Sequence, residues 1–328
     1  MKGLIKYISI CCFAASIVSC GGTRTQTEVS GLQNHLVQNT VKIGYEYDMY
    51  VPEEYWFFKG LDNTNFIQDL YKKTREGNLN IFYPLTNETY PKDEVKMFFS
   101  DNKSVTNRIP KEDIKHLVFN EEWFLDTSKF VMKKNVLDYS LVRVQLKETD
   151  TDTSELVKSL VASYRFNNTA SSKNRELTPL AKNLAYEVSL TNPIIEEWLD
   201  YISVKHVVQV IIDKITSGTV PVYSFMVKDT LIELPIEDVK ERLGEHTYSI
   251  EFYNEETGEE ELIEQTTPID YSEITGIVFI EDWYIDQSTM KIHKKVKGIA
   301  PVREYAKVLD QDDYELVRTI PCVVYFKE

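Results

Sequence analysis

Cysteine, histidine and glycine are all sparse in this 328-residue chain, at 4, 5 and 12 residues. Cys11 and Cys12 lie inside an N-terminal apolar run and Cys20 closes it, so Cys322 stands alone in the remainder of the chain. A single thiol forms no internal disulfide, and the chain must be held by packing. Cys322 sits in "IPCVVYF", an apolar strand-like run that reads as a buried, inert thiol. The histidines, His35, His116, His206, His246 and His293, show no HxxxH, HxH or CxxC spacing, so there is no zinc signature. No glycine-rich phosphate loop, GxSxG elbow or Cys/His nucleophile motif is present. The sequence therefore calls for no cofactor, no metal and no enzyme.

Positive charge is also scarce. With 37 Lys and Arg against 52 Asp and Glu, the formal net charge is -15, which disfavours nucleic acid, a partner bound by neutralising phosphates. Long apolar runs are limited to "YISICCFAASIV", Tyr7–Val18, shorter than the roughly 20 residues of a membrane-spanning helix. Lys2 and Lys6 precede it and Ser19-Cys20-Gly21-Gly22 come after it, the arrangement of a signal peptide. The stretch resembles a bacterial lipobox, which implies a signal over residues 1–19, acylation of Cys20, and a lipidated tether over residues 20–43. Several acyl chains hold a protein on a bilayer stably. The expected location is the outer membrane, facing the periplasm.

What is present is a duplication. At an offset of 160, Ile114–Phe166 aligns with Ile274–Phe326 without a gap, with 18 identities in 53 positions. They include Glu121/Glu281, Trp123/Trp283, Asp126/Asp286 and Ser128/Ser288. Upstream the offset shortens but the order holds: "NFIQDLYKKTREG" faces "KHVVQVIIDKITSG", and Trp56 faces Trp198. All four tryptophans thus fall into two matched pairs.

Each copy reads as a helix ending at a glycine cap, Gly77 or Gly218, with apolar stripes Phe66, Leu70 and Val207, Ile211, Ile215. A short hairpin comes next, clearest at "VYSFMVKDTLIEL", then a second helix near Pro91 or Pro235. Three or four strands close the unit, with Leu117, Phe119, Trp123 and Leu125 sharing one face, as do Ile277, Phe279, Trp283 and Ile285. The fold class is α+β, two tandem homologous domains over residues 44–168 and 191–328, each a small antiparallel sheet with two helices. Residues 169–190, polar at Asn167–Glu176, read as a linker.

The repeated Glu-acidic-Trp-aromatic-aliphatic-Asp segment invites a glycosidase reading, because two carboxylates flank an aromatic. Alternation puts Glu121 on the face of Trp123 and Asp126 on the opposite one, so the two do not converge on one bond. The structural reading is preferred: Trp anchors a core and Asp caps the turn at "DTS" or "DQS". Glu121 and Glu281 lie between Phe and Trp on an apolar face and need a partner or a sheet edge. The acidic loops at Asp150/Asp152 and Asp310/Asp312/Asp313 lack the glycine and distal Glu of an EF-hand and read as hairpin tips. Lys291, His293, Lys295 and Lys297 alternate onto one strand face. That basic stripe suits an acidic partner or lipid headgroups, and equally a lysine-guarded edge strand. Tyr55, Trp56, Phe57 and Phe58 leave open a platform for carbohydrate, peptidoglycan or peptide.

In the second copy, "EDWYIDQSTMKIHKKVKGIAPVREY" closing with "VYFKE" resembles the N component of the Bacteroidetes gliding-motility and type IX secretion machinery, the GldN/PorN family. Glu281, Asp282, Trp283, Asp286, Ser288, Gly298–Pro301 and Tyr325–Glu328 carry the likeness, which covers residues 205–328. The resemblance implies a non-enzymatic building block with protein partners in a membrane-associated assembly, a homo-oligomeric ring included. The chain looks like a divergent, tandem, lipoprotein version of that family.

Overall fold

The structure, a computed structural model, describes residues 40–49, 61, 63–148, 154–166, 177–191, 201–225, 231–254, 259–310 and 313–326. The signal, Cys20, the greater part of the tether and the aromatic run at Tyr55–Phe58 lie outside the described residues, as do Trp198, Asp150, Asp152 and Asp312.

The first repeat runs β1 (Thr40–Asp48), α1 (Asn63–Arg75), α2 (Lys92–Phe98), β2 (Ile114–Asp126), β3 (Val131–Glu148) and β4 (Ser154–Arg165). The second runs β5 (Leu177–Ser189), α3 (Tyr201–Thr216), α4 (Ile236–Arg242), β6 (His246–Asn254), β7 (Glu259–Thr267), β8 (Ile274–Asp286), β9 (Ile292–Asp310), β10 (Asp313–Thr319) and β11 (Val324–Tyr325). Sheet one has the order β1-β2-β3-β4 and sheet two the order β10-β9-β8-β5, with β11 added to β9 and every pairing antiparallel.

Local chemistry explains the elements. The first helix of each repeat buries its apolar stripe, Phe66 and Leu70 in one, Val207, Ile211 and Ile215 in the other. Each then ends at a glycine held at positive φ, +76° at Gly77 and +66° at Gly218, the backbone state that glycine adopts without penalty. Pro91 and Pro235 stand at the N-caps of α2 and α4, where the missing N–H costs nothing. Leu117, Phe119, Trp123 and Leu125 of β2 and Ile277, Phe279, Trp283 and Ile285 of β8 turn to the interior and are buried.

The repeat is real, but separate domains joined by a linker are not what the structure contains. Leu177–Ser189, expected to be linker, forms β5, and buries Leu184, Tyr186 and Val188 against β8. Thr40–Ile43, expected to be tether, begins β1, with Val41 and Ile43 buried. Both strands lead their repeat, so each unit starts earlier than the sequence suggested. Residues 39–328 form one compact unit, and one apolar core runs through both copies. The two sheets meet across it: β1 packs on β5, β3 on β9, and α3 of the second repeat on β1 of the first. Among the described residues, no helix is long and apolar enough to cross a membrane.

Candidate functional site

Two β-bulges build the centre of the molecule. The β2–β3 register shifts between Asn120 and Glu121, and the β8–β9 register shifts at the equivalent step between Ile280 and Glu281. A bulge re-aims the side chain beyond it. Here it helps turn a glutamate inward in each repeat, into an interior where Glu121 and Glu281 have no exposed surface.

The tryptophan two residues on supplies the first partner. Trp123 donates Nε1–H to Glu121 at 2.8 Å, and Trp283 donates to Glu281 at 2.7 Å. The second partner comes from the other copy. Lys294 of β9 places Nζ 2.7 Å from Glu121, and Lys134 of β3 places Nζ 2.9 Å from Glu281. These four side chains, two anions and two cations, are all inaccessible to solvent. Lys134 also lies 3.9 Å from Glu121, so both carboxylates share one ammonium.

Aromatic rings enclose the ions with the same reciprocity. Lys134 Nζ lies 3.0 Å from the ring centre of Phe279, and Lys294 Nζ 3.3 Å from that of Phe119, which places each cation on a ring of the opposite repeat. Trp123 meets Phe279 at 4.8 Å and Trp283 meets Phe119 at 5.4 Å, both edge to face. Tyr45 of β1 and Tyr186 of β5 stack at 5.9 Å and share a hydroxyl–hydroxyl bond of 2.9 Å at the centre. Lys294 donates to Tyr45 at 2.7 Å, Lys134 donates to Tyr186 at 3.1 Å, and Tyr186 donates to Glu281 at 2.8 Å. The duplication thus closes on itself as a pseudo-twofold contact.

Burial shifts these groups. It pushes the Lys294 ammonium down to about 8, the nearby Glu121 and Glu281 limiting the fall. Lys134 is lowered too, by burial offset by both glutamates. Burial opposes ionisation of Glu121, yet Lys294 and Lys134 outweigh it and hold its carboxyl below the usual range. Tyr45 and Tyr186 are raised far above the ordinary phenol range, by burial first and by the glutamates second. Each charge is therefore paired, hydrogen-bonded and dry. The carboxylates have no exposed surface, and the four ions pair one repeat with the other.

The remaining sequence candidates fall elsewhere. Asp126 accepts from the Ser128 backbone N–H at 3.0 Å, the Ser128 hydroxyl at 2.6 Å and the Lys129 N–H at 3.1 Å. Asp286 makes the same set with Ser288 at 2.8 and 2.6 Å and with Thr289 at 3.3 Å. Both turns then pass through a left-handed residue, Phe130 at φ +49° and Met290 at φ +58°. Lys291, just before β9, and His293, Lys295 and Lys297 on it are not buried, while Ile292, Lys294 and Val296 between them are. Lys291 donates to Asn135 at 3.2 Å and Lys297 to Asn183 at 2.7 Å. Cys322 is buried, its thiol pushed up to about 12 by desolvation. Sequence reasoning fixed on the odd-numbered basic stripe and passed over Lys294 and Lys134. The available signal was that both are lysines at the same offset of 160, each flanked two residues away by apolar side chains.

Fold and site together define a sheet-rich fold with an internal sequence repeat, whose two copies meet at a buried ionic cluster. Residues 182–328, from within β5 to the end of the chain, match the family model described as gliding motility associated protein GldN. That stretch is similar to the gliding-motility family, and the resemblance read in residues 205–328 is borne out. No curated protein matches the chain.

Proposed function

We propose that the chain is a non-enzymatic structural subunit of a gliding-motility or type IX secretion assembly. It would be held on the outer membrane by acylated Cys20 and face the periplasm. The observation that carries the reading is the family match over residues 182–328. The site supports it, because the residues that the two copies share at the centre, Glu, Trp and Lys, serve to join the repeats. A component that transmits or withstands force between partners needs such a rigid interior and keeps its outer surfaces for docking. Alternation of strands and hairpins leaves several apolar side chains outside, among them Leu146, Leu156 and Leu316, which suit protein contacts.

In-cell crosslinking with mass and partner identification tests this reading. A high-mass complex containing other secretion or motility proteins is the expected result. A monomer without protein partners overturns it and directs attention to glycan and peptidoglycan binding. Metabolic labelling with a fatty acid, lost in Cys20→Ala, tests the anchor.

A further inference from the structure

The two repeats part company at one place, beside the second helix of each. In the first repeat, Tyr90 meets Phe98 edge to face at 5.9 Å and donates its hydroxyl to the Val161 carbonyl at 2.8 Å. Aromatic rings fill that corner. In the second, "LPIEDVKER" aligns with "YPKDEVKMF", so Leu234 stands for Tyr90 and Arg242 for Phe98. The carbonyl of Pro321, equivalent to Val161, accepts from Arg242 at 3.4 Å instead. A cleft of about 610 Å³ opens there, and Asp238, Glu241, Arg242, His246, Arg303 and Tyr305 contribute to its lining. That volume is in the usual range of small-molecule sites.

A second pair of equivalent residues diverges in the same way. Arg143 sets Nε and Nη2 on Asp113 at 3.0 and 2.9 Å. Its counterpart Arg303 gives Nε to Glu273 at 2.7 Å and Nη1 to the Arg242 carbonyl at 3.0 Å. Nη2 is left without an acceptor among the described residues, although the side chain is only 9% exposed. Gly244, where the first repeat has Ser100, makes room for the group: a Cβ there would sit 2.6 Å from Nη2. Tyr305, where the first repeat has Gln145, lies with its ring centre 4.1 Å from the guanidinium carbon. A buried donor without an acceptor costs free energy, and here a ligand in the cleft can supply one.

Charge selects that ligand. Asp238 and Arg242 stand at the i,i+4 spacing of a helical ion pair, yet among the described residues no ion pair joins them, and Glu241 has none either. Unpaired charges of both signs therefore line one cleft. Two carboxylates repel a simple anion, and two guanidiniums repel a simple cation. We infer that the cleft binds an α-amino-acid head group, its carboxylate on Arg303 Nη2 and Arg242 and its ammonium on Asp238 or Glu241. Tyr305, Ile320 and Pro321 give an apolar wall for the rest of the molecule. Two sources carry this head group: a free amino acid, and a cell-wall stem peptide that ends in an uncrosslinked diamino acid. The head group follows from the cleft alone, whereas a cell-wall source rests on the proposed periplasmic location.

Isothermal titration calorimetry on the full chain in detergent tests the site. The probes are diaminopimelic acid and a stem tripeptide that ends in it. Both should bind, and the di-N-acetyl and dimethyl ester forms of diaminopimelic acid should each bind about tenfold more weakly or worse, having lost a charged hydrogen bond. Arg242→Gln should weaken binding of the unmasked probes by a similar factor, and so should D238N/E241Q. All three side chains are exposed, so thermal melts of these variants should match the wild type. Equal affinity for the two probes assigns free amino acids as the source, and tighter binding of the tripeptide assigns the cell wall; both results uphold the site. Absence of binding by both probes overturns it, as does binding that neither masking nor the two variants weaken.

Discussion

Lys294 Nζ lies 2.7 Å from Oε1 of Glu121, with both side chains wholly excluded from solvent. One belongs to the second repeat and the other to the first, and Lys134 and Glu281 repeat the relationship at 2.9 Å in the opposite sense. Taking such ions out of water costs several kcal/mol each, which paired charges and hydrogen bonds recover only in good geometry. The cluster therefore contributes little net stability as a whole, and much specificity in which face meets which.

Single removals should be severe. Lys294→Ala leaves Glu121 with only the more distant Lys134, 3.9 Å away and already shared with Glu281, and a buried charge that loses its close partner costs about 3–5 kcal/mol. Lys134→Ala should cost a similar amount by the pseudo-twofold. Replacing the set together, K134M/K294M/E121L/E281L, should restore most of the loss. Urea midpoints of the singles and the quadruple variant check this; a quadruple variant worse than either single contradicts it.

Acid should loosen the core. Burial opposes ionisation of Glu121, but Lys294 and Lys134 hold its carboxyl below 4.5. The unfolded chain then binds a proton that the folded chain refuses, so this stability is whole above about pH 4.5 and is lost as pH falls through the folded value. Glu46 adds to the effect, held down to about 2 by His116 and Lys158 against its burial. Thermal melts between about pH 6 and 2 should show a fall that is smaller in K294M/E121L.

Alkali should act in the other direction. Burial lowers Lys294 from 10.5 to about 8. Between those values the unfolded chain holds the proton and the folded chain has released it, so the contribution of this group to stability rises with pH across the window. Relative to K294M/E121L, the wild-type chain should gain stability from pH 8 to 10. A loss across that range refutes the assignment.

The turns offer a milder test. Asp286→Ala removes one acceptor that serves three donors at the β8–β9 turn, and the loss should resemble that of a helix cap, about 0.5–2 kcal/mol. Asp126→Ala should match it. Equality of the two in chemical denaturation supports equivalence of the repeats; a null effect at both removes the Asp from the account of the turn.

Much of this architecture was legible. Gap-free identity at an offset of 160 exposed the duplication, and two-residue alternation placed Trp123 and Trp283 inside. It also raised the right question about Glu121 and Glu281, which need a partner on an apolar face. The partner was hidden because it comes from the other repeat: alternation assigns faces within a strand and says nothing of which sheet lies opposite. Tyr186 was hidden for a different reason. β5 carries Pro179, Lys182 and Asn183 and breaks register twice, so its sequence resembles a loop more than a strand. The left-handed turn residues Phe130 and Met290 carry no glycine signature, and burial of their side chains accompanies the strained backbone.

The central claim is that the two repeats are one cooperative body joined through Glu121, Lys134, Glu281 and Lys294. Native-state hydrogen exchange of the β2–β3 and β8–β9 amides under rising denaturant tests it most directly. A single opening free energy, shared by both hairpins and lowered equally in both by Lys294→Ala, is the predicted result. Independent opening of β1–β4, with Lys294→Ala felt only in the second repeat, would contradict it.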